Sequence, residues 1–253
     1  MRIPCRLTLV HVALVVMCAC SATAIAPGNG YEGEGDRILF IGNSHTYVND
    51  VPGLVQAFAD SMKSKQIAVG SIVQPGFALI DHWLDPNARA AAARCEGVTH
   101  VVMQQGWTPE GVFRDTLVLA TRNFAELVAK CGSRPVLYQI WPLRSRPQDF
   151  PGTIESYAIA ARESHGVLAP VAQAWQLAIS RAVAVELWSP DGLHASAAGS
   201  YLAAVVLYAQ IFAATPIGLP ASVQTRSGMV LRVDAPTARL LQQAAADAIA
   251  MGT

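Results

Sequence analysis

Charge is scarce in this sequence of 253 residues. Only 14% of the residues are charged, and 18 Lys and Arg balance 18 Asp and Glu, so that the formal net charge is zero at pH 7. A nucleic-acid-binding protein usually carries a basic excess or a basic stripe. A disordered chain is poorer in apolar residues than this one, in which they make up 52%. The composition therefore argues against both classes and indicates a chain that buries a full core.

Long apolar runs are missing except at the amino terminus. Arg2 and Arg6 precede an apolar run over residues 7–19, and small residues follow at 21–24. The run is shorter than the roughly 20 residues of a membrane-spanning helix. This pattern is typical of a secretory signal peptide over residues 1–24, cleaved after Ala24. Cys20 follows a small residue, which makes lipoprotein processing with a lipid anchor at Cys20 the alternative to cleavage after Ala24. The sequence does not decide between the two routes.

Cysteine is rare once that segment is removed. Residues 1–24 contain three of the five cysteines and two of the arginines, which leaves 16 basic against 18 acidic residues, a net charge of −2. We expect an exported protein, periplasmic or secreted, without stable insertion in a membrane. In an oxidising compartment the two remaining cysteines, Cys95 and Cys131, predict one disulfide, and two buried thiols are the alternative.

Residues 25–36 are rich in glycine and polar residues and are predicted to be a linker, followed by one domain over residues 37–253. Short β-rich runs alternate with helical periodicity in this domain. The predicted strands are Arg37–Ile41, Gln66–Val73, His100–Met103, Pro135–Ile140 and Val167–Val171. The predicted helices are Val51–Lys63, Asp115–Lys130, Ile154–Ser164, Trp175–Val185, Ala195–Ala213 and Pro236–Ala250. This alternation predicts a three-layer α/β fold with a parallel sheet, whose ligands bind at the carboxyl ends of the strands.

Two segments carry residues suited to nucleophilic catalysis. Ser44 follows the first strand at a strand-to-helix turn, where developing negative charge is favoured. Asp191 and His194 share a later loop, in which Pro190 and Gly192 force an irregular turn. A serine nucleophile needs a base, and the base needs a carboxylate to orient it. We therefore predict Ser44, His194 and Asp191 as these three groups, although a serine helix cap and an Asp-capped helix start are ordinary alternatives.

These segments resemble the motifs of the SGNH (GDSL-like) serine hydrolases. The first block of that family corresponds to Gly42–His45, with Asn43 in place of the usual Asp, and its D-x-x-H block corresponds to Asp191–His194. The second block matches Gly76, whose N–H the resemblance assigns to the oxyanion hole; an ordinary turn glycine is the alternative. The agreement in order and spacing covers roughly residues 37–210. The resemblance implies a flavodoxin-like fold with a five-stranded parallel sheet.

The third block departs from the family pattern. The usual G-x-N-D, whose Asn side chain is the last oxyanion donor, is absent after the third strand, where Met103-Gln104-Gln105-Gly106 stands instead. This resembles the branch in which a Gln follows that strand. A Gln amide can donate the same hydrogen bond as Asn, and strand register leaves both Gln104 and Gln105 as candidates.

The resemblance implies a serine esterase that needs no metal or organic cofactor. Ser44 would form an acyl-enzyme, and the favoured substrates are short acyl groups, above all acetyl, on carbohydrate. A lipase or arylesterase acting on longer or aromatic esters is one alternative. A degenerate glycan-binding member is another, motivated by Asn43 and by the third block. The absence of any charge excess favours a neutral small-molecule or glycan ester and no nucleic acid.

Tryptophan and histidine leave further possibilities open. Trp107, Trp141 and Trp188, together with Trp175, fall near predicted strand ends, where they could stack on sugar rings or simply pack. Four histidines show no metal-ligand spacing with one another and are expected to be structural: His45, His82, His100 and His165.

Overall fold

A computed structural model describes residues 35–62, 66–181 and 185–252. The predicted signal peptide, Cys20 and almost all of the predicted linker lie outside these residues. Within the described ranges no helix has the length and apolar character needed to cross a membrane.

A five-stranded parallel sheet forms the centre of the molecule. Its strands are β1 (Asp36–Gly42), β2 (Ile67–Val73), β3 (His100–Met103), β4 (Arg134–Tyr138) and β5 (Val167–Ala169). Their spatial order is β2-β1-β3-β4-β5, and every pairing is parallel. The predicted α/β fold with a five-stranded parallel sheet is therefore confirmed.

Nine α-helices are found in the described residues, and the longer ones cover both faces of the sheet. They are α1 (Ser44–Tyr47), α2 (Val51–Ser61), α3 (Leu79–Leu84), α4 (Pro86–Ala93), α5 (Val112–Ala129), α6 (Phe150–Glu163), α7 (Val171–Arg181), α8 (Ala197–Phe212) and α9 (Ala235–Met251). Helices α2, α7, α8 and α9 pack together, and so do α3, α4, α5 and α6. Right-handed crossovers place these two groups on opposite faces of the sheet.

The centre of the sheet is buried on both sides. Phe40, Val102 and Leu137, from three adjacent strands, are fully buried. Such double burial explains why these strands are continuous apolar runs rather than alternating ones. The sheet is therefore a tightly packed base for the loops at its carboxyl edge, where the candidate site lies.

Three features were not predicted from the sequence. Helices α3 and α4 are too short for a clear helical period, although Asp85 caps α4 by accepting a hydrogen bond from the Asn87 N–H at 2.9 Å. An antiparallel hairpin, β6 (Ser222–Gln224) with β7 (Val230–Arg232), precedes α9. The predicted fifth strand was also too long, because Val171 already begins α7.

The two cysteines of the domain form a disulfide. Cys95 precedes β3 and Cys131 precedes β4, and their Cα atoms are 5.7 Å apart. Because β3 and β4 are parallel neighbours, both cysteines lie at the amino edge of the sheet. This edge is opposite to the one that carries the candidate site, as expected for a structural bond.

Candidate active site

Ser44 lies directly after the carboxyl end of β1, as the first residue of α1. Asn43 is the N-cap of this helix, and its Oδ1 accepts a hydrogen bond from the His45 N–H at 3.1 Å. The first N–H groups of a helix have no partner within the helix, so the Ser44 N–H is suited to receive an oxyanion. Ser44 itself is half-buried. A serine here is thus both accessible and beside a positive backbone dipole.

Asp191 and His194 lie side by side on one closed loop. The Ser189 N–H donates to the His194 carbonyl at 2.8 Å, and a bridge between Trp188 and Ala195 closes the base of the loop. Asp191 Oδ2 is 2.6 Å from His194 Nδ1. A carboxylate at this distance fixes the proton on Nδ1 and leaves Nε2 free to act as a base.

Both oxygens of the Asp191 carboxylate are engaged. Oδ1 accepts from the Ser189 hydroxyl at 2.6 Å and from the N–H groups of Leu193 and His194 at 2.8 and 2.9 Å. The hydrogen bond from Ser189, followed by the one from His194, holds the pKa of Asp191 far below its usual range. Asp191 is therefore ionised at any working pH, and it both shapes the loop and orients the imidazole.

His45 brings the serine turn and the histidine loop together. Its ring centroid is 5.6 Å from that of His194, and Ser44 is its neighbour in the chain. His194 Nε2 is buried and makes no hydrogen bond among the described residues. Catalytic hydrogen bonds are often long before substrate binds, and this nitrogen is the one that would take the serine proton.

His45 is held neutral by its surroundings. Burial, and then the charge of the nearby His194, lower the pKa of His45 to about 3. Its Nδ1 lies 3.1 Å from Asn43 Oδ1, an acceptor, so Nδ1 carries the proton. The sequence predicts only a structural role for His45, although its position beside Ser44 is a signal for a place in the site.

Gly76 lies in the loop that follows β2. Its φ of +71° is a left-handed conformation that glycine adopts without strain. The side chain of Asn43 donates from Nδ2 to the carbonyl of the next residue, Phe77, at 2.9 Å. The Gly76 loop is therefore tied to the Ser44 turn.

The side-chain amides of the two glutamines after β3 donate hydrogen bonds to other protein groups. Gln104 is fully buried, and its Nε2 donates to Asn43 Oδ1 at 2.8 Å. The Nε2 of Gln105 donates to the Phe113 carbonyl at 2.9 Å. Each of these bonds uses one of the two hydrogens of its NH₂ group, so the bonds do not exclude donation to an oxyanion. Gln104 or Gln105 as the third oxyanion donor therefore stays a prediction, beside the backbone N–H groups of Ser44 and Gly76.

Two of the three tryptophans suggested for the substrate groove are buried. Trp141 and Trp188 are 1% and 8% exposed, so their faces are not open to a sugar. Trp141 stacks on Trp175 with ring centroids 3.9 Å apart, and Trp175 meets Trp188 edge to face. These rings instead support the histidine loop, since Trp141 Nε1 donates to the Leu193 carbonyl at 3.0 Å.

Trp107 is the half-buried member of that set. Its Nε1 donates to Asp149 at 2.9 Å, and the Arg146 guanidinium lies 5.7 Å from its ring centroid. Trp107 therefore stays a possible wall of the groove.

The other histidines do not assemble a metal site. Among the described residues no group of three or more His, Cys, Asp or Glu side chains is placed to hold a metal ion. His82 is fully buried, and its Nε2 donates to the Gly42 carbonyl at 2.8 Å, directly before the serine turn.

Solved structures share this architecture. A protein from Slackia heliotrinireducens, described as a candidate SGNH hydrolase, is 29% identical over a match that covers 70% of this chain and 99% of that one, with a TM-score of 0.59. The chain is similar to this SGNH hydrolase in both fold and sequence. No family model and no curated protein matches the sequence.

Two more distant structures share the SGNH hydrolase fold. A DUF4886 family protein from Bacteroides uniformis is 15% identical, and its match covers 85% of this chain and 95% of that one with a TM-score of 0.69. A lipase/acylhydrolase from Enterococcus faecalis is 17% identical over 70% of this chain and 95% of that one, with a TM-score of 0.53. At these identities the two structures show a shared fold. The likeness to the Slackia heliotrinireducens protein supports a general hydrolase function.

Proposed function

We propose that this protein is an SGNH hydrolase, an exported serine esterase that removes short acyl groups, above all acetyl, from carbohydrate. The observation that carries the proposal is the Asp191–His194 pair beside the serine turn, with Oδ2 and Nδ1 2.6 Å apart. An imidazole oriented by a carboxylate, next to a serine at the start of a helix, is the arrangement that acyl transfer through a covalent intermediate requires.

In the proposed reaction the Ser44 oxygen attacks the ester carbonyl while its proton passes to His194 Nε2. The negative charge that develops on the carbonyl oxygen is received by the N–H groups of Ser44 and Gly76. His194 then gives its proton to the leaving alcohol, and the acyl-enzyme forms. Water repeats the sequence, losing a proton to His194 as it attacks, and the acid leaves with Ser44 restored. Asp191 holds the imidazolium in place throughout.

Export is supported by the disulfide between Cys95 and Cys131. Such bonds persist in oxidising compartments and are rare in the reducing cytosol. The export signal predicted for residues 1–24 adds to this argument, with signal-peptide cleavage or lipoprotein processing as the two routes. An exported esterase meets acylated polysaccharides, which is the reason to favour a carbohydrate ester.

The proposal is tested by comparing the natural protein with S44A on p-nitrophenyl esters of two, four and eight acyl carbons and on an acetylated oligosaccharide. We expect acetate to be turned over fastest and S44A to lose at least about 1,000-fold in kcat with an unchanged Tm, because the nucleophile is removed. A fluorophosphonate probe should label the natural protein and not S44A.

The outcomes separate the alternatives. Turnover rising with chain length would favour a lipase in place of the short-chain esterase. Folded natural protein that the probe leaves unlabelled, yet that binds the glycan, would instead identify a binding protein. Turnover by S44A equal to that of the natural protein would place the nucleophile elsewhere.

A further inference from the structure

Asn43 makes more contacts to the loops of the site than any role as a helix cap requires. Its side-chain Nδ2 donates to two carbonyls, those of Phe77 and Gln105, each at 2.9 Å. Its Oδ1 accepts from Gln104 Nε2 at 2.8 Å and from two nitrogens of His45 at 3.1 Å. The Asn43 side chain is 5% exposed, so these bonds form out of contact with water.

The partners of Asn43 come from three different loops. Phe77 belongs to the loop after β2, next to Gly76, and Gln105 follows β3. His45 follows Ser44 on α1. The Asn43 backbone is fixed as well, because its N–H donates to Gln104 Oε1 at 2.9 Å. One carboxamide thus links the turn that carries Ser44 to the loop that carries Gly76.

From these contacts we propose that Asn43 is a positioning residue of the proposed reaction, and that its amide cannot be replaced by the carboxylate usual at this position. Each of the two carbonyls requires a donor, and a carboxylate has none. An ionised Asp would place negative charge against two carbonyl oxygens at about 2.9 Å in a buried site. Gln104 belongs to the same hydrogen-bond network. Its Nε2 donates to Asn43 Oδ1, and its Oε1 accepts from the backbone N–H of Asn43.

The test compares N43D and N43A with the natural protein, measuring kcat and KM on p-nitrophenyl acetate from pH 5 to pH 8. For N43D we expect kcat to fall by about 100-fold at pH 8, the size of effect that follows loss of an oxyanion donor, with KM changed by less than about 3-fold. Burial and the two carbonyls favour the neutral carboxyl, which can donate one hydrogen bond. The ratio of N43D to natural kcat should therefore rise by about 10-fold between pH 8 and pH 5.

N43A separates the pH effect from simple loss of contacts. It removes every side-chain bond without adding a charge, so kcat should fall while its ratio to natural kcat stays flat with pH. The other titratable groups around Asn43 are His45 on α1, His82 on α3, Tyr157 on α6 and the Asp191–His194 pair. These are common to all three proteins, and the ratio cancels their titration to first order.

Q242E is the matched control. Gln242 on α9 is also a buried amide that donates to a backbone carbonyl, that of Leu219 at 2.7 Å, but it lies at the α8–α9 packing. We expect Q242E to lower the Tm and to leave kcat within about 2-fold per folded molecule.

A folded N43D whose kcat matches the natural protein at pH 8, or whose ratio stays flat with pH, would overturn the proposal. Should N43D not fold at pH 8, natural kcat in N43A would overturn it equally. A failure of the serine esterase function is a separate result, because the natural protein itself would then show no turnover.

Discussion

Asp191 serves two structural demands with one carboxylate. Oδ1 closes the loop by accepting from Ser189, Leu193 and His194, and Oδ2 faces the imidazole. An amide could keep the first function, because its oxygen still accepts hydrogen bonds. It could not keep the second, since its NH₂ would face Nδ1 and reverse the tautomer. The two functions of this residue can therefore be separated by a single substitution.

For D191N we expect kcat to fall by about 1,000-fold or more, because the proton moves to Nε2 and the base is lost. The Tm should change little, because the loop keeps its acceptor. The measurement is ester hydrolysis alongside thermal unfolding. S189A is the control, since it removes one partner of Oδ1 and leaves Oδ2 in place; it should cost less than about 10-fold. A D191N enzyme within 10-fold of the natural rate would contradict the assigned role.

At the scale of elements, α8 is fitted closely against the aromatic support of the histidine loop. Gly199 lies in its first turn, and a Cβ there would overlap the Leu187 carbonyl and come within 2.6 Å of the Trp175 ring. Trp175 in turn stacks on Trp141, which holds the Leu193 carbonyl. The close approach of α8 at Gly199 therefore supports the position of His194 through the rings of Trp175 and Trp141.

G199A should lower the free energy of unfolding by about 1–3 kcal/mol, because a packed ring and a backbone carbonyl must move. Helix propensity alone gives the opposite sign, a gain of up to about 1 kcal/mol on replacing Gly by Ala. Urea unfolding distinguishes the two. A197S, at an exposed position in the same turn, should stay within about 0.5 kcal/mol of the natural protein. A G199A protein more stable than the natural one would show that the close contact of Gly199 with Trp175 does not contribute to stability.

At the scale of the whole molecule, buried histidines link stability to pH. Burial first, and the charge of His194 second, lower the pKa of His45 to about 3, and burial also lowers the pKa of His82. Below about pH 6.5 the unfolded chain therefore binds protons at these histidines that the folded chain does not bind. Stability is therefore present above about pH 6.5 and is lost as the pH falls.

The free energy of unfolding should accordingly decrease by up to about 1.4 kcal/mol per pH unit for His45 between pH 6 and pH 4. Asp191 adds nothing in this window, since a carboxylate with a lowered pKa loses its contribution only below its ordinary value near 3.8. Urea unfolding at several pH values measures the slope, and H45Q should make it shallower. An H45Q slope equal to the natural one would show that His45 does not carry this linkage.

Much of the fold could be predicted because its strongest determinants are local. The β1, β3 and β4 runs are doubly buried and therefore continuously apolar, and their alternation with helices fixes a parallel sheet. Helices α3 and α4 were missed because six and eight residues offer too few turns to show a period. The position of the candidate serine and of the Asp–x–x–His loop followed from order along the chain.

What the sequence could not show is which way a polar side chain points. Gln104 and Gln105 both follow β3, and either could have faced a substrate. The direction of the Gln104 amide is set by Asn43, 61 residues earlier in the chain, and that of Gln105 by the Phe113 carbonyl. Such pairings depend on three-dimensional packing, and so did the burial of Trp141 and Trp188.

The disulfide between Cys95 and Cys131 has a consequence for the lifetime of the enzyme. It restrains the unfolded chain over a separation of 36 residues, yet it touches the sheet at the edge remote from Ser44. Its reduction would act on the rate at which molecules are lost to irreversible unfolding, and it would leave the turnover of each surviving molecule as before. The redox state of the surroundings would thus set how long the protein persists, independently of how fast it works.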